Sequence, residues 1–369
     1  MDNVSGVLPS QALEKMIAAG QIRGRSPIGA DQVQPSSIDL RLGAEAYRVR
    51  ASFLAHGRET VTSKLEQYRL HTVPLQPSAV LEKGCVYIIP LLEELALPED
   101  ISGKANPKSS TGRLDIFTRL ITDEGRQFEI VPAGYRGRLY AEVVPRTFSV
   151  VVREGERLSQ LRLFRGEREN SDAMLRELER TEQLIFLPDE SAGAAHIGNG
   201  LRLSVDLAGG ESQPVIGYRA RKHAPLIDLA KINYYDTADF FDPIYRNETK
   251  TLILDPEDFY ILASRERVRI PAQYAAEMVP YDATIGEFRI HYAGFFDPGF
   301  GYGTGDINGT RAVLEVRSHE VPFILEDGQI VASLVFERLT ERPRLLYGEG
   351  IGSSYQRQGL KLSKHFRNV

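Results

Sequence analysis

Apolar and polar residues alternate over short runs along most of this chain, and Pro, Gly and Asp punctuate the runs. Ser37-Ile38-Asp39-Leu40-Arg41-Leu42, Val86 to Pro90, Arg138 to Val144 and Phe148 to Val152 all follow this pattern. A period of two sends successive side chains to opposite faces of an extended strand, so these segments predict β-structure. Helical spacing occurs in two places. Over 10–20, Leu13, Met16 and Ile17 share one face, Ser10 can cap the helix and Gly20 can end it. Over 171–185, Ser171-Asp172 opens a charged stretch with Met174, Leu175 and Leu178 on one side. Pro188-Asp189-Glu190-Ser191-Ala192-Gly193-Ala194-Ala195 follows, small and polar as linkers are. The expected organisation is a β-rich unit over 1–170, a helical segment and linker over 171–197, and a second β-rich unit over 198–369.

The two units resemble each other. At a shift of 173 residues Tyr87-Ile88-Ile89 meets Tyr260-Ile261-Leu262, and Pro98 and Pro107 meet Pro271 and Pro280. Glu142-Val143 likewise meets Glu315-Val316, and Gly155 meets Gly328. Upstream the shift becomes 167, where Ser37-Ile38-Asp39-Leu40 meets Ser204-Val205-Asp206-Leu207. One offset sustained over so many positions predicts two tandem copies of one fold.

Composition narrows the function. The chain has 369 residues, 42% hydrophobic and 26% charged, with a formal net charge of −5. It can bury two cores, and it lacks the excess base of a protein that coats nucleic acid. The single cysteine, Cys85, excludes an intramolecular disulfide framework or a cysteine-rich zinc site and fits a reducing cytoplasm. Met1-Asp2-Asn3-Val4 has no basic leader character, and no run reaches the roughly 18 apolar residues of a membrane helix. The expectation is a soluble cytoplasmic protein with neither nucleic acid nor membrane as partner.

Familiar catalytic motifs are missing. Gly103-Lys104 lacks a phosphate-binding glycine loop, and neither His-Glu-x-x-His nor Cys-x-x-Cys occurs. Gly301, Gly303 and Gly305 follow Asp297-Pro298-Gly299 and lead into a strand, which reads as a β-hairpin loop rather than a dinucleotide fingerprint. Two segments remain. Asn106-Pro107-Lys108-Ser109-Ser110-Thr111-Gly112-Arg113 gathers hydroxyls, cations and free backbone amides in a turn that suits phosphate, or is only a serine-capped turn with a solvated arginine. In Arg311-Ala312-Val313-Leu314-Glu315-Val316-Arg317, alternation puts Arg311, Val313, Glu315 and Arg317 on one face. Taken alone that is a solvent face with exposed ion pairs. In a partly enclosed cleft, Glu315 would instead be the proton carrier for adding water to a heteroaromatic ring, and Glu142 holds the equivalent place in the first copy. The end of the chain, Gly352-Ser353-Ser354-Tyr355-Gln356-Arg357-Gln358-Gly359 and onward, is either a disordered tail or a lid over phosphates.

Together these residues resemble the trimeric dUTPase and dCTP deaminase superfamily, most closely its dCTP deaminase branch. Pro35-Ser36-Ser37-Ile38-Asp39-Leu40-Arg41-Leu42-Gly43 resembles the family's early "ASxDLRLG" strand, and Lys108-Ser109-Ser110-Thr111-Gly112-Arg113 its "RSSxxR" nucleotide motif. Asp297-Pro298-Gly299-Phe300 with Val313-Leu314-Glu315 resembles "DPGFxG" and the catalytic "LE", and Tyr355-Gln356-x-Gln358-Gly359 the tail. The resemblance implies an all-β, mainly antiparallel fold: two tandem dUTPase-like distorted jelly-roll barrels of β-clip type with few short helices. Family members are usually single copies in homotrimers, with each site shared between neighbours. Here each copy lacks what the other keeps. Copy two has Pro280-Tyr281-Asp282-Ala283-Thr284-Ile285-Gly286 in place of the Ser/Arg turn, and copy one has Val131-Pro132-Ala133-Gly134 in place of Asp-Pro-Gly.

One composite site follows from the resemblance. Glu315, Ser109 and Arg113 are its catalytic residues. Lys108, Ser109, Ser110, Thr111, Gly112, Arg113, Asp297, Val313, Leu314, Glu315, Tyr347, Tyr355 and Gln358 bind substrate, and Glu142 belongs to a vestigial site. The implied reaction is deamination of dCTP to dUTP and ammonia, upstream of dUMP and dTTP. Water would attack C4 without a metal, with glutamate shuttling protons. No cofactor is bound to the protein, and Mg²⁺ comes with the triphosphate. The family's tail lysine has no counterpart at Ser354, which leaves Lys361 or Lys364 to replace it. The expected partners are dCTP and dUTP, dTTP as inhibitor, and further copies of the chain, a trimer carrying six copies of the fold being one arrangement. The alternatives are a dUTP diphosphatase or bifunctional enzyme, and a non-catalytic nucleotide sensor.

Overall fold

The structure, a computed structural model, describes all residues except 1–3, 169, 211–213, 281–287, 291–293, 304, 319, 349–354, 357 and 368–369. For 280 and 288–290 it describes the backbone alone. The fold is all-β and mainly antiparallel, with few short helices.

Each half is built from two principal sheets. In the first, strand Val86–Ala96 lies between Glu45–Val49 and Arg136–Pro145, while Arg157–Arg165 lies between Ile38–Arg41 and Ile101–Pro107. In the second, Phe259–Val268 lies between Val215–Ala220 and Thr310–Ser318, and Ile330–Arg338 between Leu201–Ser204 and Tyr274–Pro280. Their registers coincide. Glu142 pairs with Ile88 as Glu315 pairs with Ile261, and Ser159 with Pro107 as Ala332 with Pro280.

Upstream the ladders correct the sequence match. Leu42 bridges Leu91 while Val205 bridges Ser264, so Leu42 corresponds to Val205, and the pairing of Ser37–Leu40 with Ser204–Leu207 is displaced by four residues. A slip by an even number leaves every side chain on its own face, so alternation could not reveal it.

The helices are also adjusted. The first, Ser10–Ala18, takes Pro9 as its N-cap, and the buried Ser10 hydroxyl donates to Gln11 Oε1 instead of capping. Gly20 supplies the left-handed residue beyond its end, with φ 69°. The second predicted helix is Asp172–Thr181, where Ser171 accepts the Met174 amide and Leu175 and Leu178 are buried. A further helix, Val61–Tyr68, had no distinct sequence signal. The segment after 181 is no free linker, since Phe186 bridges Ala192 and the Gly193 amide donates to Ile185 O. The glycine-rich stretch 299–309 is not a hairpin loop. It joins Phe295–Phe296, which pairs with Tyr274–Pro280, to Thr310–Ser318 of the other sheet. Among the described residues no helix is long and apolar enough to cross a membrane.

The halves are fused through their cores. Val150–Val152 of the first half pairs in parallel with Ile227–Asp228 of the second, and Val7 bridges Leu339. Phe148 stands edge-on to Phe240 and Phe241 at 5.7 and 5.5 Å, and Phe366 packs on the same two rings at 5.4 Å. Between the sheets Asp115 and Arg317 form an ion pair, 0% and 4% exposed. Arg317 Nε lies 3.3 Å from Asp115 Oδ1 and its Nη2 2.8 Å from Thr147 Oγ1. Removing one partner strands a buried charge. Asp115→Ala should therefore cost about 3–5 kcal/mol of stability in urea unfolding. Glu14→Ala, which breaks an exposed pair with Arg344, should cost less than about 1 kcal/mol.

Candidate active site

The Ser/Arg turn begins where strand Ile101–Pro107 ends. The Lys108 amide donates to Leu158 O at 2.9 Å, Ser109–Gly112 make one helical turn, and the Arg113 amide donates to Ser109 O at 3.1 Å. Asp115 then takes a left-handed conformation, φ 55°, and its carboxylate is the one held by Arg317. Arg317 lies two residues beyond Glu315 on strand Thr310–Ser318. The ion pair thus fixes the turn of one half against the glutamate strand of the other.

Across that seam Arg113 Nε stands 3.7 Å from Glu315 Oε1. The Arg113 guanidinium lies 3.9 Å above the Tyr355 ring, and its Nη1 donates to Lys361 O at 2.9 Å. A cavity of about 630 Å³ opens beside the pair. Lys108, Ser109, Ser110 and Arg113 line it from the first half, and Asp297, Val313, Glu315, Tyr347, Tyr355 and Gln358 from the second. Thr111, Gly112 and Leu314 do not. Thr111 and Gly112 are buried behind the turn, and Leu314 points into the core of the second half. The strand expected to show a solvent face has none there, since Glu315 and Arg317 are each 4% exposed.

Burial governs the charges. Desolvation lifts the Glu315 carboxyl to about 7 against the opposing pull of Arg113. Burial also raises Asp297, countered by Arg162 and by the hydrogen bond from Ser36. Lys364, which lines the cavity, is lowered by burial and by the neighbouring Lys108 charge.

The tail is neither disordered nor an open lid over the described stretch 358–367. Ser363 Oγ donates to Ser110 O at 2.8 Å, the Lys364 amide to the Tyr355 hydroxyl at 3.3 Å, and the Gln358 side-chain amide to Arg311 O at 3.0 Å. The buried His365 ring is held between Ser363 Oγ and Leu229 O, and burial lowers it to about 4, so it is neutral near pH 7. The tail residues 352–354 and 357 lie outside the described residues, as do 281–286 of the copy-two turn.

In the first half the equivalent glutamate face is closed. Ile88 and Tyr140 correspond to Ile261 and Val313, and the chain's own Ala55, Val61 and Leu65 pack over them. Arg119 Nε donates to Glu142 at 3.0 Å and its Nη2 to Ser52 at 3.0 Å, with the Phe128 ring 3.4 Å away. The loop match also shifts by one residue. Val131 pairs with Gly103 as Phe296 pairs with Ala276, so Pro132, not Val131, stands in the position of Asp297. The first half has no carboxylate at that point.

Several lining or supporting residues escaped sequence reasoning. Asp39 is ion-paired with Lys108 and its Oδ1 has no hydrogen-bond partner. Ser36 donates to Asp297 Oδ1 at 2.5 Å, and Gln160 and Arg157 also line the cavity. Ser36 and Asp39 lie inside the early strand motif, so the signal for them was present.

A two-lobed, all-β protein with a buried carboxylate facing a Ser/Arg turn across a cavity is the arrangement that the sequence resemblance implies for a nucleotide site of the dUTPase-like class. Comparison with known proteins narrows this. Residues 4–167 match the 2'-deoxycytidine 5'-triphosphate deaminase N-terminal domain and 171–366 the C-terminal domain of the same enzyme. The chain belongs to the dCTP deaminase family. It is similar to the crystal structure of 2'-deoxycytidine 5'-triphosphate deaminase from Agrobacterium tumefaciens, with 50% identity, a TM-score of 0.87, and 92% of this chain and 100% of that one covered. Among curated relatives, the "dCTP deaminase, dUMP-forming" of Parafrankia sp. is 31% identical over 164 residues, 43% of this chain and 76% of that protein. The protein of the same name from Halobacterium salinarum is 36% identical over 110 residues, 29% and 52% of the respective chains.

The raised Glu315 carboxyl fixes a sign. The folded state holds a proton there that the unfolded state releases near the ordinary value of 4.5, so this residue's contribution to stability falls as pH rises from about 4.5 through about 7. Glu315→Gln should therefore be more stable than the parent at pH 8, by up to about 3 kcal/mol. The gap should close at pH 4.5. Thermal melts at the two pH values check this.

Proposed function

We propose that this chain deaminates dCTP to dUTP and ammonia, with Glu315 as the proton carrier. The observation that carries the reading is the meeting of Glu315 and Arg113, 3.7 Å apart at the wall of a cavity large enough for a nucleotide. A carboxyl poised near 7 can both take and return a proton at neutral pH. A water held by Ser109 and Arg113 gives its proton to Glu315, and the resulting hydroxide adds to C4 of the cytosine ring. As the hydroxide adds, Glu315 passes that proton to N3. It then carries the proton of the new C4 hydroxyl to the amino nitrogen, and the C4–N bond breaks to leave the C4 carbonyl and ammonia. The balance is dCTP plus water to dUTP plus ammonia.

The remaining residues hold the nucleotide. Tyr347 and Asp297 contact the nucleoside, and Lys108, Ser110 and Lys364 face the triphosphate, with Lys364 in the place of the family's tail lysine. Gln358 and Tyr355 keep the tail closed. Mg²⁺ enters with the triphosphate. dTTP shares the triphosphate and sugar and is the expected inhibitor. The single shared site requires no second chain, although further association of chains is compatible with it.

A second reading concerns the product. The relatives carrying the dUMP-forming name make a bifunctional enzyme the main rival. Incubation with dCTP and Mg²⁺ should yield equal ammonia and dUTP with no pyrophosphate, whereas dUMP and pyrophosphate support the rival. Glu315→Gln should lower kcat at least 100-fold while Glu142→Gln stays within about twofold, and a sensor without catalysis predicts no turnover from either. For the parent, kcat/KM should rise with pH to a plateau above about 7, as Glu315 loses its proton.

A further inference from the structure

Ser36 and Arg162 lie behind the cavity wall in the first half, yet their contacts converge on a loop of the second. Ser36 is fully buried, and its hydroxyl donates to Asp297 Oδ1 at 2.5 Å while accepting from Arg162 Nη2 at 3.2 Å. Arg162 is also fully buried. Its Nη1 donates to Ala276 O at 3.1 Å, its Nη2 to Phe296 O at 3.4 Å, and its guanidinium lies 4.0 Å above the Phe295 ring. Asp297 Oδ1 is 3.8 Å from Arg162 Nη2. Among the described residues the other carboxylate oxygen of Asp297 has no hydrogen-bond partner. Strand register places Val335 of the second half at the position of Arg162, so this clasp runs one way only.

A planar five-donor guanidinium fully withdrawn from water is expensive to bury unless its geometry is used. Here it fastens the 295–297 segment by one carbonyl, one ring and one relayed carboxylate, and the adjacent strand by the Ala276 carbonyl. We propose that Ser36 and Arg162 are positioning residues that act through Asp297, committing one of its oxygens to the first half and leaving the other turned to the nucleoside. This rests on the reading of Asp297 as a nucleoside contact. The titratable groups around the clasp are Asp39, Lys108 and the neutral Tyr347 hydroxyl on the Asp297 side, and Glu337 on the Arg162 side. Of these, Arg162 and Lys108 favour the ionised carboxylate and Asp39 opposes it. Without the Ser36 hydroxyl, Asp297 should lose its proton only at higher pH.

Steady-state kinetics of Ser36→Ala on dCTP, beside Asp297→Asn, test this. Ser36→Ala should raise KM at least fivefold with kcat within threefold, and move the acidic limb of the kcat/KM profile to higher pH. A Ser36→Ala protein with the parent's KM and pH profile, or one that loses kcat alone, overturns the positioning role provided that Asp297→Asn is impaired. If Asp297→Asn binds dCTP like the parent, the nucleoside contact itself fails. Should Ser36→Ala not fold, Arg162→Lys, which keeps the charge but loses the fork, is measured in the same way. It should show the same rise in KM, and a parental KM would overturn the role.

Discussion

The ion pair between Asp115 and Arg317 sits where two half-sites must be held together, and the rest of the pocket depends on it. Asp115 follows the Ser/Arg turn and Arg317 follows the glutamate, so one contact sets the spacing of the two chemical elements. Both charges are withdrawn from water, and Thr147 supplies a further hydrogen bond. In the register of the repeat, Val144 stands where Arg317 does. The lock therefore exists in one orientation, and it selects which glutamate meets a serine turn.

That asymmetry sets the surroundings of Glu142 apart from those of Glu315. The two glutamates occupy equivalent positions in the corresponding sheets of the two halves, each buried and opposed to an isoleucine. What differs is the cover. The face around Glu315 receives the Ser109–Arg113 turn and the tail, with a cavity between. The face around Glu142 receives the chain's own residues 52–65 and an arginine from the adjacent strand. A helical segment that seals an apolar face does for stability what a neighbouring copy would otherwise do. It leaves no room for a substrate.

Much of this was legible in the chain itself. Alternation gave the β-class, the recurring offset showed the duplication, and the Ser/Arg turn and the Glu315 strand stood out by residue type. The rest was hidden for physical reasons. The exposure of the Glu315 strand could not be read, because period two specifies two faces and not what covers them. The even slip near Ser204 preserved face parity, and the one-residue slip at Val131 lay in a loop with no period at all. Arg162 sits between Leu161 and Leu163, where its charge reads as one more outward position. Only the packed halves show it pointing inward to Phe296 and Asp297. The tail looked free because its anchors, Ser110, Leu229 and Tyr235, which bridges Phe366, are scattered far along the chain.

The central claim is that one chain furnishes both sides of one pocket. Mixing two inactive proteins, Arg113→Ala and Glu315→Gln, under conditions that allow subunits to unfold and refold together tests it most directly. The account predicts that the mixture stays as inactive as its components, because each chain carries its own broken site. Recovery of a substantial part of the parent's deamination rate would mean that the turn and the glutamate come from different chains, and would contradict it.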